Sequence, residues 1–244
     1  MDAVCLRAYG RTVGIHGSAS AVDEVLAGLP ASYALTDEAP ERVWSIGIGG
    51  STNPARLLSE LELWVAERAR RHVFVHAGSV AWKGRAILVP GRSMSGKSSL
   101  VAALVRAGAT YLSDEYAVLT PVGTVRPYAR PIALRPYDGS PPHRVRLPEP
   151  DARAVPAGVV LRLPYTGAHR LQPLSRAEAA LHLVDNCVAA RSRPRAVRTA
   201  VLAVTRASVA WHGTRGDADE MAQTLLARGL ELEVVGRAEG LVIS

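Results

Sequence analysis

A glycine-rich segment at 91–98 constrains this chain more than any other feature. It matches the pattern G-x-x-x-x-G-K-[ST] at every fixed position. An apolar stretch at 85–90 predicts a strand directly before it. Residues 97–107 predict a helix directly after it, closed by Gly108, a residue type that tolerates the left-handed backbone at a helix end. The chain is therefore expected to contain a strand, a tight loop and a helix in succession.

The residue types in this segment suit a polyphosphate ligand. Glycines let successive backbone N–H groups point inward, and the N-terminus of the following helix adds partial positive charge. Lys97 is expected to bridge the β- and γ-phosphates of a nucleotide, and the Ser98 hydroxyl to bind Mg²⁺. Lys97 and Lys83 are the only lysines in a chain with 29 basic residues. The candidate nucleotide-binding residues are Gly91, Arg92, Ser93, Met94, Ser95, Gly96, Lys97, Ser98 and Ser99.

Two adjacent acids, Asp114 and Glu115, follow the predicted helix after a short apolar strand at 110–112. A phosphate cradle needs a carboxylate to hold hydrated Mg²⁺, and a kinase also needs a base for the proton of the attacking hydroxyl. Successive residues of an extended segment point to opposite sides, so one acid can bind the metal while the other orients it or faces away. Ser98, Asp114 and Glu115 are therefore the candidate metal ligands.

These residues resemble a known family in type and in spacing. The features that carry the resemblance are His76-Ala77, the 91–98 segment, Gly108 and the run 113–115. Together they look like the catalytic core of the bacterial HPr kinase/phosphorylase family. Relatives of that family include phosphoenolpyruvate carboxykinases and kinases that phosphorylate a serine of lasso-peptide precursors. The match covers residues 73–119, and the segment 131–135 with the helices beyond it resembles the HPr-kinase-related branch more weakly.

The resemblance implies an α/β fold with a P-loop core of the HPr-kinase and phosphoenolpyruvate-carboxykinase type. It implies an ATP- and Mg²⁺-dependent kinase that transfers the γ-phosphate to a hydroxyl, either a serine of a peptide or protein or a small-molecule alcohol. The catalytic residues implied are Lys97, Asp114 as general base, and His76 as its assistant. The Glu-x-Arg-Gly segment of true HPr kinases is not found in this sequence, so HPr itself and a reversible reaction are not implied.

Two other functions are compatible with the same residues. One is a nucleotide-binding regulatory module without catalysis, and the other is a carboxykinase-like reaction on an oxo acid. An Asp114 within a water's reach of the γ-phosphate, with open space for an acceptor beyond it, favours an enzyme, whereas two acids that point away favour the module. Arg130 and Arg135 are candidate ligands of the transferred phosphoryl group or of an anionic acceptor, because arginine presents a fork of donors. The alternative for both arginines is a solvated loop charge.

Composition limits the remaining classes of function. A formal charge of +7 would suit nucleic acid, but the basic residues are spread along the chain and aromatic residues make up only 5%. No apolar run reaches the ~18–20 residues of a membrane span, and the first residues do not resemble a secretion signal. We therefore expect a cytoplasmic protein without a nucleic-acid or membrane partner, and a homo-oligomer is left open. Cys5 and Cys187 are expected to be reduced thiols.

The hydrophobic pattern divides the chain into a small N-terminal α+β domain at 1–69 and the P-loop kinase domain at 70–244. In the first domain we expect a hairpin at 4–15 and a helix that Ser20 caps. The pair Asn53-Pro54 predicts the start of a second helix, because asparagine caps well and proline fits the first helical position.

The last part of the chain carries a different pattern. Prolines and arginines crowd together at 126–164, which predicts loops over a functional face rather than long regular elements. Beyond them, capping boxes that open at Ser175 and Asp217 predict two helices. An apolar stretch at 208–212 predicts a strand between the two helices.

Overall fold

The computed structural model describes residues 3–47, 53–91, 95–134, 143–148, 150–167 and 170–228. The chain divides into two compact units, Met1–His72 and Val73–Ser244. Over the described residues both units combine strands with helices, which confirms the mixed α/β class predicted from the sequence. No helix within these ranges is long and apolar enough to cross a membrane.

The Met1–His72 unit is built on a four-stranded sheet. Its strands are β1 (Val4–Ala8), β2 (Arg11–His16), β3 (Ala34–Leu35) and β4 (Arg42–Ser45), in the order β3-β1-β2-β4, and its helices are α1 (Ala19–Gly28) and α2 (Pro54–Arg68). Strands β1 and β2 form the predicted hairpin, with a two-residue turn between them. The turn residues Tyr9 and Gly10 have φ values of 52° and 76°, the positive values that the favoured two-residue hairpin turn requires.

One of the two predicted helix caps in this unit is confirmed and the other is wrong. The Asn53 side chain accepts two backbone N–H bonds from the first turn of α2, as an Asn-Pro start predicts. Helix α1 begins at Ala19, so Ser20 already lies within its first turn. Ser18 is the cap instead, because it has the extended backbone that lets its hydroxyl accept an N–H bond from that turn.

The Val73–Ser244 unit contains a larger sheet and four helices among its described residues. The strands are β5 (Val73–Trp82), β6 (Arg85–Pro90), β7 (Thr110–Ser113), β8 (Tyr116–Leu119), β9 (Thr124–Arg126), β10 (Ile132–Leu134), β11 (His143–Val145), β12 (Val155–Arg162), β13 (Arg170–Pro173) and β14 (Val209–Thr214). The helices are α3 (Lys97–Arg106), α4 (Arg176–Asp185), α5 (Pro194–Ala207) and α6 (Ala218–Arg228). The sheet order is β13-β14-β12-β6-β5-β8-β9, with β7 also paired to β5, while β10 and β11 form a separate pair.

Helices cover both faces of the large sheet. Leu100 of α3 and Leu225 of α6 pack into the core on one face, and Leu183 of α4 and Val201 of α5 pack into the core on the other. Strands β6, β12 and β14 are parallel, so their carboxyl ends meet at one edge. Ligands of open α/β sheets bind at that edge, and Gly91 follows β6 there.

The expectation that 126–164 holds no long regular element is wrong. Strand β12 is eight residues long, lies between β6 and β14, and is buried over its apolar centre. The prolines that suggested loops surround this run, and Pro156 stands at the second position, before the pairing with β6 begins at Ala157. The many prolines of the segment 126–164 suggested loops, and its overall composition did not indicate the short apolar strand within it.

The C-terminal helices agree with the sequence in part. Helix α4 begins with the predicted capping box, in which Ser175 and Glu178 each accept a backbone N–H bond from the other. Asp217 accepts two backbone N–H bonds at the start of α6. Helix α5, which starts at Pro194, was not predicted and lies between α4 and the predicted strand.

Candidate functional site

Strand β5 brings three segments of the sequence to one place. It pairs with β6 along one side and with β8 along the other. The Gly91 N–H donates to the His76 carbonyl at 3.0 Å, and the Ala77 N–H donates to the Glu115 carbonyl at 3.2 Å. The backbone alone therefore places Gly91 and Glu115 on either side of His76.

Glycines shape the turn that opens α3. Gly96 is the N-cap residue and has a φ of +77°, which L side chains rarely adopt. A Cβ atom on Gly91 would lie 2.9 Å from the Ser95 hydroxyl, so this turn is tight. A Cβ atom on Gly78 of β5 would lie 2.5 Å from a methyl carbon of Val101, so α3 packs unusually close to the sheet. The first turn of α3, with its N–H groups and partial positive charge, is thus held against β5.

Asp114 receives hydroxyl groups on both of its carboxylate oxygens. Ser98, in the first turn of α3, donates to Oδ2 at 3.1 Å. The Tyr111 hydroxyl lies 3.0 Å from Oδ1 and 3.0 Å from the carbonyl of Arg130. Asp114 is only 8% exposed, and burial raises the pKa of its carboxyl, although the bond from Tyr111, the charge of Arg130 and the bond from Ser98 all oppose the rise.

Glu115 turns to the other side of the chain and lies beside His76. Its Oε1 is 3.8 Å from His76 Nδ1, and both side chains are about two-fifths exposed. Burial lowers the pKa of His76. The negative charge of Glu115 partly offsets this shift, and the positive charge of Lys97 adds to it. Burial also lowers the pKa of Lys97, and the charges of Glu115 and Asp114 counteract that shift. Lys97 is therefore electrostatically coupled to both acids.

The pair Ser98 and Asp114 fits the ligand geometry of Mg²⁺. Mg²⁺ takes oxygen ligands in near-octahedral geometry at about 2.0–2.1 Å, so adjacent ligand oxygens are about 2.9 Å apart. The Ser98 Oγ and Asp114 Oδ2 atoms are 3.1 Å apart. Both atoms could thus bind one Mg²⁺ with very little movement, whereas Glu115 faces His76 in this arrangement.

Most residues that the sequence singled out lie around this point. They are His76, Gly91, Ser95, Gly96, Lys97, Ser98, Ser99, Asp114, Glu115 and Arg130. Arg130 contributes its positive charge and its carbonyl next to Asp114. Arg92, Ser93, Met94 and Arg135 lie outside the described residues.

Two further residues belong to this arrangement and were not assigned a role from the sequence. Tyr111 contacts Asp114, and its signal was a tyrosine in an apolar strand three residues before the acid, since a buried phenol needs a polar partner. Arg215 donates to the Gly96 carbonyl at 2.7 Å. It stands 119 positions away along the chain, so no local pattern pointed to it.

Comparison with known proteins adds nothing to this geometry. No protein-family model matches the chain, and no curated protein matches its sequence. The functional interpretation therefore depends on the contacts described above and on the sequence motif.

Proposed function

We propose that this chain is an ATP- and Mg²⁺-dependent kinase with a P-loop core of the HPr-kinase type, which transfers the γ-phosphate to a hydroxyl group. The observation that carries the proposal is the hydrogen bond between Ser98 and Asp114 beside Lys97. These three residues were selected from the sequence for phosphate, metal and acid roles. In the fold they converge on the N-terminus of one helix.

The first turn of α3 would hold the polyphosphate. Its N–H groups and partial positive charge favour an anion. Lys97 would neutralise charge that develops on the β–γ bridge oxygen. Burial lowers the pKa of Lys97, whereas the charges of Glu115 and Asp114 oppose that shift and favour the charged ammonium group.

Mg²⁺ supplies charge neutralisation on the phosphate oxygens. Ser98 and Asp114 would hold it, since their oxygens already have the required separation. Tyr111 fixes the other carboxylate oxygen and so orients Asp114 toward Ser98. Asp114 therefore does not point away from the start of α3, the arrangement that would favour a nucleotide-binding module.

The two acids differ in what they can reach. Both oxygens of Asp114 are engaged and the residue is buried, whereas Glu115 is about two-fifths exposed next to His76. Asp114 as base remains the expectation from the family resemblance. The contacts favour a division in which Asp114 holds the metal and Glu115, with His76, receives the proton of the acceptor hydroxyl.

A thermal-shift titration with ATP and Mg²⁺ tests nucleotide binding. At a hundredfold excess over the dissociation constant a ligand stabilises the folded state by about 2.7 kcal/mol, which corresponds to a rise in Tm of about 5–10 °C for a chain of this size. Transfer is then measured with γ-labelled ATP against serine peptides and small alcohols, with and without a chelator. No shift in Tm with ATP and Mg²⁺, or transfer that excess chelator leaves undiminished, would contradict the proposal.

The roles of the acids are separated by titrating Mg²⁺ in single-turnover experiments. If Asp114 holds the metal, Asp114→Asn raises the Mg²⁺ concentration needed for half-maximal transfer. If Glu115 is the base, Glu115→Gln leaves that concentration unchanged and lowers the maximal rate by about 10²–10⁴-fold. The reverse pattern assigns the base to Asp114, and full activity of both variants excludes a catalytic role for the acidic pair.

A further inference from the structure

Arg215 is a buried arginine at the carboxyl end of β14, and it reaches the turn that opens α3. The residue is 2% exposed. Its Nη2 group donates to the Gly96 carbonyl at 2.7 Å, and its Nη1 group lies 3.5 Å from the carbonyl of Gly216. A hydrogen bond from a charged donor to a carbonyl is stronger than one between neutral groups.

The backbone of Arg215 is fixed by the segment that follows β12. Its N–H donates to the Pro164 carbonyl at 3.1 Å, and its own carbonyl accepts N–H bonds from Thr166 and Gly167. The Tyr165 ring covers the guanidinium, with 5.5 Å between the Arg215 Cζ atom and the ring centroid. The side chain therefore extends from a rigid support and is not a mobile surface charge.

Gly96 and Arg215 are matched in shape. The guanidinium occupies the space that a side chain on Gly96 would fill, because a Cβ atom there would collide with Nη2. Gly96 is also the residue whose left-handed backbone sets the direction of the first turn of α3. Arg215 consequently holds Gly96, the residue on which the orientation of that turn depends. The guanidinium also places a positive charge next to the turn.

We infer that Arg215 is a positioning residue for a polyphosphate ligand: it holds Gly96 so that the first turn of α3 faces the phosphates, and its charge strengthens their binding. The inference rests on the proposed nucleotide site and adds a residue from a distant strand to it.

The test compares three variants. Arg215→Gln removes the charge and shortens the side chain, and Arg215→Lys keeps the charge with a single donor group. Arg85→Gln is the matched control, because Arg85 likewise donates to a backbone carbonyl, that of Ala207 at 2.7 Å. Arg85 begins β6, whereas Gly91 and the candidate site follow the other end of that strand. Binding of ATP and of inorganic tripolyphosphate is measured by calorimetry, and amide hydrogen exchange of residues 96–100 is followed by mass spectrometry.

We expect Arg215→Gln to weaken the binding of ATP and tripolyphosphate by about 10–100-fold, the loss expected for one charge-assisted hydrogen bond. Arg215→Lys should recover only part of the lost affinity, because it keeps the charge but loses the forked donors and the stacking on Tyr165. Arg85→Gln should bind as the wild type does. Without ligand, residues 96–100 should exchange about tenfold faster in Arg215→Gln than in Arg85→Gln.

Two results overturn the inference. One is wild-type affinity in Arg215→Gln, and the other is an equal loss of affinity in Arg215→Gln and Arg85→Gln, which would indicate general destabilisation. A wild type that binds neither ATP nor tripolyphosphate refutes the proposed function itself. In that case an unchanged rate of amide hydrogen exchange at residues 96–100 in Arg215→Gln refutes the positioning role as well. A faster rate would mean that Arg215 positions the turn but that no polyphosphate binds there.

Discussion

Replacing Asp114 with asparagine should make the folded protein more stable while it disables the site. Burial raises the pKa of the Asp114 carboxyl despite the opposing effects of Tyr111, Arg130 and Ser98. The folded state therefore disfavours the charged form at neutral pH. Asparagine has nearly the same shape, keeps an acceptor for Tyr111 and offers a donor to the Ser98 oxygen. Both contacts can survive without the charge.

The magnitude follows from the two hydrogen bonds. Bonds to a charged group contribute about 1.5–3 kcal/mol and neutral bonds about 0.5–1.5 kcal/mol, so the bonds from Ser98 and Tyr111 together lose about 2 kcal/mol. The raised pKa of Asp114 indicates that relief from burying the charge exceeds such losses. We therefore expect a net gain in the free energy of unfolding, each 1 kcal/mol of which raises Tm by about 2–4 °C.

Urea unfolding in metal-free buffer measures this gain. Since the folded-state pKa of Asp114 is raised, the penalty is present above that pKa and is lost as the pH falls from it toward the ordinary pKa of an unfolded aspartate, below which both states are neutral. The advantage of Asp114→Asn should therefore shrink at acidic pH. Asp151→Asn is the control, because that side chain is 68% exposed and the change should stay within about 0.5 kcal/mol. A variant less stable than the wild type at neutral pH would refute the reasoning.

Three further predictions concern other residues. Lys97→Ala should lower phosphoryl transfer by about 10²-fold or more with the fold intact. Lys83→Ala, at the turn between β5 and β6, should leave transfer nearly unchanged, and equal losses in the two variants would exclude Lys97 as the phosphate-binding lysine. Gly78→Ala should cost about 1–3 kcal/mol in urea unfolding, because the added methyl group meets Val101, and an unchanged midpoint would contradict the close packing of α3 on β5. Burial raises the pKa of Cys187 to about 12, so iodoacetamide at mildly alkaline pH should label it far more slowly in the native than in the urea-unfolded protein, and equal rates by mass spectrometry would contradict its burial.

Local signals in the sequence predicted local structure well. The hairpin of β1 and β2, the cap at Asn53 and the capping box at Ser175 each depend on residues within a few positions of one another. Strand β12 was missed because its stability comes from packing inside the sheet, which the composition of a segment does not record. Helix α5 does carry a local signal that the sequence prediction did not use, since Pro194 stands at its start and Val197, Val201 and Val204 recur at helical spacing. The cap of α1 was misplaced because Ser18 and Ser20 have the same chemistry and only the backbone distinguishes them.

The sequence likewise predicted some features of the candidate site and not others. Lys97, Ser98, Asp114 and Glu115 were found from motif and spacing, since one helix and one strand connect them. Their division of labour was not evident from sequence, because only the fold shows that Asp114 faces Ser98 and Glu115 faces His76. Whether these residues act on a nucleotide stays a prediction.

Two contacts at the start of α3 join residues that are very different distances apart in the sequence, so their members are synthesised at different times. The Ser98–Asp114 bond spans 16 positions, and the Arg215–Gly96 bond spans 119. At about 5–20 residues per second, a ribosome needs about 5–20 s to extend the chain by the 101 residues from Asp114 to Arg215. During that interval the nascent chain contains both members of the Ser98–Asp114 pair but not Arg215. A nascent chain arrested before residue 215 should therefore bind polyphosphate weakly, and affinity should increase in one step once β14 has emerged and paired with β12.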